Sequence, residues 1–366
     1  MASNLELLCK ELNKKYKSEF IHKGVSQYSF DRIPFSSPKL NFMTYGGIPR
    51  GYIIEFSGTE NGGKTTTALD ICGQAQKLFK KENPDNPKKV LFIDAENTFN
   101  YGWAQKMGVD TDELLIITPT DQYAESIFND VADLVDTGEI GLAVLDSIAV
   151  LMTSAEFDED FEKKQYGGVS IPLTKFSKKM TQLCKKNNCT FIGINQLRDN
   201  MNSMYGGTTT PGGRAWRHAC ILRLSFQHGR FIDEKNKEVP NGESNPFGNI
   251  VNVAVEKTKC CSPDRKGGHY TLRYDRGIDY ISDLIDLCLA YGFVNQGGAW
   301  FSILDPDTGE LLHMNDKDMK FQGQAKLYEE LRVNPELRKY LFDKIEKYIK
   351  PEEPKIIEAN DEDDDE

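Results

Sequence analysis

Gly58-Thr59-Glu60-Asn61-Gly62-Gly63-Lys64-Thr65 reads G-x-x-x-x-G-K-T, and the reading of the fold turns on it. The run Tyr52-Ile53-Ile54-Glu55-Phe56 before it is apolar enough for a buried strand, and Thr66 to Lys81 after it reads as a helix. Strand, glycine-bearing loop and helix are the setting in which this spacing binds phosphate. The glycines let successive backbone N–H groups wrap an anion at a helix N-terminus, where the dipole favours negative charge. Lys64 would reach the β- and γ-phosphates and the Thr65 hydroxyl would sit on Mg²⁺. Gly58, Thr59, Glu60, Asn61, Gly62, Gly63, Lys64, Thr65 and the following Thr66 are therefore candidate nucleotide ligands.

The chain has 366 residues, 39% of them hydrophobic and 28% charged, which suits a soluble protein with one large α/β domain and smaller additions. No apolar run approaches a membrane span. The start, Met1-Ala2-Ser3-Asn4-Leu5-Glu6, lacks the basic and apolar regions of a signal peptide, so a cytosolic location is expected. Eight cysteines without C-x-x-C or paired-histidine spacing argue against a zinc site or a disulfide framework. The vicinal Cys260-Cys261 reads as a strand end in a reducing compartment. The net charge of −11 would disfavour nucleic acid, but it is unevenly placed. Residues 351–366 hold nine acids and one lysine and so carry most of it, ending in Asp361-Glu362-Asp363-Asp364-Asp365-Glu366. Such a tail is expected to be disordered, serving solubility or competing with polyanions for a basic surface.

In residues 3–20, Leu5, Leu8, Leu12 and Tyr16 recur at helical spacing among Lys10, Lys14, Lys15 and Lys17. That stripe packs either on its own core or on a neighbouring subunit. Residues 26–38 read as a linker with an extended piece at Ile33-Pro34-Phe35. From Gly51 to about Asp283 strands and helices alternate. The strands are 90–94, 142–146, 190–195, 219–226 and 249–256. One helix spans 122–135 with Ala124, Ile127, Val131 and Leu134 inward, and another spans 170–186 with Leu173, Phe176, Met180 and Leu183 inward. This pattern predicts an α/β fold with a mostly parallel sheet covered by helices. Beyond Asp283 come a helix at 283–293, a hairpin at 300–312 around Asp305-Pro306-Asp307-Thr308-Gly309, and a helix at 335–349. A calcium loop at Asp305 would need its glycine one place later, so a turn is the better reading.

In doubly wound folds the ligand lies outside the carboxyl ends of the strands. Asp146 ends one strand, where a carboxylate can hold Mg²⁺. Glu96 follows another, placed to orient or deprotonate a water. Gln196 follows a third, where a neutral amide could sense a γ-phosphate. Residues 197–210, which carry Arg198, Met204 and Tyr205, form a long loop poor in large apolar side chains. A second loop, 155–168, carries Lys163, Lys164 and Tyr166. Mobile loops with aromatics and cations beside a nucleotide sensor suit a flexible polyanion such as DNA.

These residues resemble the RecA family of DNA strand-exchange recombinases. The resemblance rests on Gly58–Thr65, Phe92-Ile93-Asp94-Ala95-Glu96, Leu145-Asp146-Ser147, Ile194-Asn195-Gln196-Leu197-Arg198, Thr208-Thr209-Thr210 and Gly212-Gly213, in the family's order and spacing. It extends through Ile221-Leu222-Arg223-Leu224, Tyr274-x-x-Gly277-Ile278-Asp279 and Gly298-Ala299-Trp300-Phe301, and so covers nearly the whole chain. It implies a RecA-like P-loop ATPase core over 34–282 with DNA-binding loops at 155–168 and 197–213. An N-terminal oligomerisation helix and linker would occupy 1–33, a small α/β domain 283–350 and an acidic tail 351–366. The segment between the first helix and the core is closer to phage-encoded members, which implies the nucleoid or the cytoplasm of an infected cell.

The resemblance also implies roles. Lys64, Thr65 and Asp146 bind phosphate and Mg²⁺, Glu96 is the catalytic carboxylate, and Gln196 couples the γ-phosphate to the second loop. Trp103 matches an adenine-stacking tyrosine, Asn100 an acid at the adenine edge, and Tyr274 a further adenine-side position. Lys257 and Lys259 match lysines that reach the neighbouring subunit's γ-phosphate, and Gly212, Gly213 and Arg214 close the second loop. Implied partners are ATP, single- and double-stranded DNA, further copies in a head-to-tail filament, and single-strand-binding and mediator proteins. Repressor co-cleavage carries over least. Tyr166 stands where the family has an intercalating methionine, Ile171 replaces an arginine, Asn200 a lysine, and Gln227 and His228 basic residues. Tyr166 could still wedge or stack, whereas each replacement of a basic residue removes a potential phosphate contact. A mediator that binds ATP without exchanging strands and a ring-forming P-loop motor are the rival readings. Glu96, Gln196, Lys257 and Lys259 speak against the first; the N-terminal helix, second loop and C-terminal part speak against the second.

Overall fold

The computed structural model describes residues 4–16, 30–158, 168–199, 208–240 and 245–349. Among these residues the main sheet is built from β1 (Ile53–Gly58), β2 (Lys89–Asp94), β3 (Leu114–Ile117), β4 (Ile140–Asp146), β5 (Thr190–Gln196), β6 (Leu222–Ile232), β7 (Glu238–Val239), β8 (Gly248–Thr258), β9 (Gly267–Arg273) and β10 (Gly277–Ile278). Their order is β10-β9-β8-β6-β1-β5-β4-β2-β3, with β7 on the free end of β6. From β6 to β3 every pairing is parallel. Beyond β6 the sheet continues as an antiparallel wing. Every residue of β1 and β4 is buried, as continuous apolar strands in a helix-covered sheet require.

The helices are α1 (Asn4–Tyr16), α2 (Pro38–Met43), α3 (Lys64–Glu82), α4 (Tyr101–Lys106), α5 (Ala124–Asp136), α6 (Ser154–Phe157), α7 (Ser170–Asn187), α8 (Gly213–Ala219), α9 (Tyr280–Ala290), α10 (Gln324–Val333) and α11 (Pro335–Ile349). Helices α5 and α7 share one apolar cluster with the sheet. Phe128 stacks on Phe176 at 4.4 Å between centroids, and Phe176 meets Phe191 of β5 edge-on at 5.2 Å. The stripe Leu173, Phe176, Met180 and Leu183 is buried. On α5 the inward set is Ala124, Ile127, Phe128, Val131, Ala132 and Val135, whereas Leu134 is 36% exposed. Leu134 sits one position off the face that Val131 and Val135 define.

Three elements differ from the sequence reading. The strand placed at 219–226 starts at Leu222 and runs to Ile232, because residues 213–219 form α8. Trp216, fully buried, anchors that helix. The hairpin around Asp305–Gly309 forms, with an antiparallel bridge between Leu304 and Leu311, but its first strand, Trp300–Ile303, is also the middle of three strands, between Val294–Gly297 and Lys320–Gln322. The turn at Asp305–Gly309 closes through Gly309 N–H to Asp305 O at 2.7 Å. The helix placed at 283–293 is α9, Tyr280–Ala290. A separate cluster runs from Leu284 through Phe301 and Leu327 to Ile349. Arg265 ties its end to α2, with its guanidinium 3.9 Å from the Phe42 ring centre and donating to the carbonyls of Phe42 and Ile349.

One buried carboxylate joins four elements. Glu55 of β1, with no exposed surface, accepts from Asn195 Nδ2 of β5 and Trp216 Nε1 of α8, each at 2.9 Å, and from Arg223 Nε of β6. Glu55→Ala would leave the Trp216 indole N–H without its buried acceptor and Arg223 with Glu256 at 3.1 Å as its remaining carboxylate, and should lower the unfolding free energy by about 1–3 kcal/mol. A denaturant-melt midpoint equal to that of the parent protein would refute that account.

Candidate functional site

The loop between β1 and α3 lies against β6, and two glycines make that approach possible. A Cβ on Gly58 would stand 2.1 Å from Phe226 O, and one on Gly62 would stand 2.8 Å from the same oxygen. No other residue fits such a distance. Gly63, at φ 94°, turns the chain into α3, so the helix N-terminus opens towards the cavity. That cavity, of about 660 Å³, is lined by residues 60–66, Glu96, Trp103, Asp146, Gln196, His228, Phe231, Asn249, Leu272 and Tyr274.

At one end charges gather. Lys64, nearly buried, donates to the carbonyls of Thr59 at 2.6 Å and Gly58 at 3.2 Å. Burial pushes its pKa down, while Asp146, Glu96 and Glu60 draw it back. Thr65 Oγ1 donates to Asp146 Oδ2 at 2.6 Å. Burial lifts the Asp146 carboxyl to about 6, against the Thr65 hydrogen bond, with Glu96 adding to the rise and Lys64 opposing it. A hydroxyl and a buried carboxylate side by side are hard oxygen donors, and a divalent cation would offset the charge that burial penalises. Glu96 Oε1 accepts from Ser147 Oγ at 2.8 Å and from Gln196 Nε2 at 3.2 Å. The carboxylate beside the phosphate loop is thus joined to the residue that opens the second loop. Leu197 N–H closes the same junction on Gly58 O at 3.3 Å.

At the other end the cavity is aromatic. Trp103, on α4, donates its Nε1–H to Thr66 Oγ1 at 3.1 Å, with Lys106 Nζ 5.7 Å from its ring centre. Tyr274 donates to Asn249 Oδ1 at 3.0 Å. Phe231 meets His228 edge-on at 4.7 Å. Aromatic side chains lining the same cavity as a helix N-terminus suit a ligand with a flat ring and an anionic group.

The sequence model of the RecA N-terminal domain matches residues 3–279. The RecA protein of Fusobacterium nucleatum is 34% identical over 314 residues, covering 85% of this chain and 75% of that one. RecA of Thermus aquaticus is 33% identical over 339 residues, 91% of each chain, and RecA of Acholeplasma laidlawii is 31% identical over 350 residues, 94% of this chain and 96% of that one. The chain belongs to the RecA family. Family membership carries, in general terms, a role in DNA recombination and repair with binding of ATP and DNA.

Within this RecA-family chain the other residues singled out in the sequence fall into three groups. Asn100 lies outside the cavity lining; its Oδ1 accepts from Trp103 N–H at 2.9 Å and caps α4. Lys257 also stands apart, its Nζ donating to the carbonyls of Arg217 and Cys220 at 2.6 Å and His218 at 3.0 Å, at the C-terminal end of α8. Lys259 is exposed. Arg214 is exposed on the first turn of α8, behind Gly212 and Gly213, which take φ of 102° and 72°. Arg198 pairs with Thr209 across a two-residue ladder at the foot of the second loop. Lys163, Lys164, Tyr166, Met204, Tyr205 and Asn200 lie outside the described residues, as does the tail 351–366. No helix among the described residues is long and apolar enough to cross a membrane.

Sequence reasoning missed His228, Phe231, Asn249 and Leu272, which reach the cavity only because the antiparallel wing folds beside the loop. It also missed Asp94, whose carboxylate accepts from Thr98 and Phe99 N–H and shapes the turn that presents Glu96. An acid at a strand end followed by Asn97, which takes φ 55°, was the available signal. Trp103→Ala should weaken binding of a fluorescent adenine nucleotide by about 0.5–1.5 kcal/mol, the usual worth of an aromatic pair beyond its area. Unchanged affinity in a titration would remove Trp103 from the base site.

Proposed function

We propose that this chain is an ATP-dependent homologous recombinase. It polymerises on single-stranded DNA, pairs that strand with homologous duplex and exchanges strands, hydrolysing ATP to ADP and phosphate as it turns over. The observation that supports this reading is the hydrogen bond from Gln196 Nε2 to Glu96 Oε1, which joins the candidate catalytic carboxylate to the residue where the second loop starts. A phosphate loop alone would serve any NTPase. A loop root bonded to its carboxylate suits an enzyme whose nucleotide state sets its grip on DNA.

Residues 58–65 cradle the phosphates, Trp103 and Tyr274 face the base, and Thr65 with Asp146 would hold Mg²⁺. When bound, the ion neutralises charge on the β- and γ-phosphates. Glu96 orients the attacking water and takes its proton, while Gln196 exchanges its bond to Glu96 for the γ-phosphate and shifts the loop that follows. Lys257 and Lys259 act on the neighbouring protomer's nucleotide, so each site is completed by a second copy. Helix α1, with Leu5 and Leu8 exposed at 70% and 51%, supplies an apolar face for that assembly. Loops 155–168 and 197–213 contact DNA, through stacking side chains and phosphate donors.

Lys64→Ala should lower DNA-stimulated hydrolysis by about 10²–10³-fold, the usual loss when one preorganised charge stabiliser is removed, and should end strand exchange. Full ATPase activity in that variant would refute the site. Electron microscopy with single-stranded DNA and a slowly hydrolysed ATP analogue should show helical filaments. Closed rings would point to a motor, and filaments without exchange to a mediator. Mixing Lys64→Ala protein with a Lys257→Ala, Lys259→Ala double variant should regain hydrolysis, because some interfaces then combine an intact Lys64 with intact partner lysines. Mixtures as inactive as their components would place those lysines outside the site.

A further inference from the structure

The segment just past Lys257 and Lys259 holds two neighbouring thiols that the proposed reaction does not use. Strand β8 ends at Thr258, and side chains of adjacent strand residues would point to opposite faces. Here the backbone bends over 259–261 instead. The N–H groups of Cys260 and Cys261 both donate to Thr258 Oγ1, at 3.3 and 3.2 Å. The same oxygen lies 3.7 Å from Cys260 Sγ and 3.0 Å from Cys261 Sγ. Both sulfurs are thus drawn to one side of the chain, around one hydroxyl. Arg32 NH2 donates to Cys260 O at 2.6 Å, which brings a guanidinium to the pair. The neighbouring Cys261 thiol holds the Cys260 pKa below its ordinary value, against burial and with help from Arg32. Cys260 is 5% exposed, whereas Cys261 is half-buried and gives the pair its opening to solvent. Of the eight cysteines only Cys9 and Cys261 are not buried, so the pair is where a small oxidant meets two thiols together.

We propose that Cys260 and Cys261 form a redox modification site, which a peroxide closes to a disulfide between neighbouring residues and which thereby governs the ribbon carrying Lys257 and Lys259. The Cys260 thiolate attacks one peroxide oxygen. The O–O bond breaks, a sulfenic acid forms, and the departing hydroxide leaves as water with the proton Cys260 had released. The Cys261 sulfur then attacks the sulfenic sulfur. The S–O bond breaks, the Cys261 proton leaves with that oxygen as a second water, and the disulfide remains. Two thiols lose two electrons and one hydrogen peroxide gains them. The bent backbone is held by the two N–H bonds to Thr258 and by Lys259 N–H on Ile221 O at 2.9 Å. Joining the sulfurs forces that bend to rearrange, directly beside Lys259 and three residues from Lys257. The control over ATP hydrolysis rests on the assignment of those lysines to the neighbour's nucleotide; the thiol chemistry does not.

The test treats the full-length protein with hydrogen peroxide, blocks free thiols with iodoacetamide and digests with trypsin. Cleavage after Lys259 and Arg265 releases Cys260–Arg265, a peptide with both thiols and no other cysteine. The expected result is a peptide lighter by two hydrogens, unalkylated until dithiothreitol is added, with loss of most DNA-stimulated ATPase activity that dithiothreitol restores. Cys261→Ser should keep its activity under the same treatment. Two alkylated sulfurs after peroxide, or Cys260 driven to sulfinic or sulfonic acid beside an untouched Cys261, would overturn the site. An equal activity loss in Cys261→Ser would overturn the control. Should the untreated protein hydrolyse no ATP, the proposed function fails, while the peptide still decides the chemistry of the pair.

Discussion

The Glu55 carboxylate is the constraint on which the rest of the arrangement depends. It lies three residues before Gly58 on the central strand, with no exposed surface. A buried charge persists only when its lone pairs are filled, and the groups that fill these come from three other elements. Asn195 Nδ2 also donates to Pro211 O at 2.9 Å, and Arg223 also reaches Thr210 Oγ1 at 3.4 Å. One carboxylate therefore holds the residue before Gln196, where the second loop starts, and is one hydrogen bond removed from Thr210 and Pro211, where it returns. The strand that fixes these two ends leads directly into the phosphate loop.

That placement gives the nucleotide end of the cavity its leverage. Glu96 shares Oε1 between Ser147 and Gln196, and a γ-phosphate oxygen would offer the Gln196 amide a second charged acceptor. Lys257 stands in a similar position. Its three carbonyl acceptors satisfy the end of α8 and draw on the negative pole of that short helix. In the proposed assembly it would give up three neutral acceptors for one charged phosphate, and the helix it leaves is the one that closes the second loop.

Much of this was legible in the sequence because local patterns fixed it. The eight residues from Gly58 to Thr65 imply a strand before them and a helix after them. The apolar runs at 90–94, 142–146 and 190–195 can only be buried strands, so Glu96, Asp146 and Gln196 fall at their carboxyl ends. What stayed hidden was set by tertiary contact. Glu55 is a single acid in an apolar run, and nothing local announces the arginine, indole and amide that neutralise it. Leu134 fits a helical stripe in sequence, yet the side chains that pack against α5 lie one position away. The start of β6 was misplaced because α8 is short and is held by one buried tryptophan rather than by its own periodicity. His228 and Phe231 enter the cavity through strand pairing with β8, a long-range register that no window of sequence contains.

The charge of the cavity bears on how many chains make one site. Among the described residues that line it, Lys64 is the only lysine or arginine, set against Glu60, Glu96 and Asp146. A nucleoside triphosphate adds further negative charge, and one divalent ion offsets only part of it. Phosphoryl transfer spreads charge over the equatorial oxygens of the γ-phosphate, and catalysis there consists largely of positioning and electrostatic stabilisation. One lysine, already bonded to two loop carbonyls and with its pKa lowered by burial, leaves that charge under-compensated. The chain has other cations on the ribbon at Lys257 and Lys259, but they line no part of this cavity. Their place away from this cavity, with the charge a bound triphosphate would bring, is what the proposed assembly has to reconcile. The two are reconciled if these lysines serve the site of the next protomer.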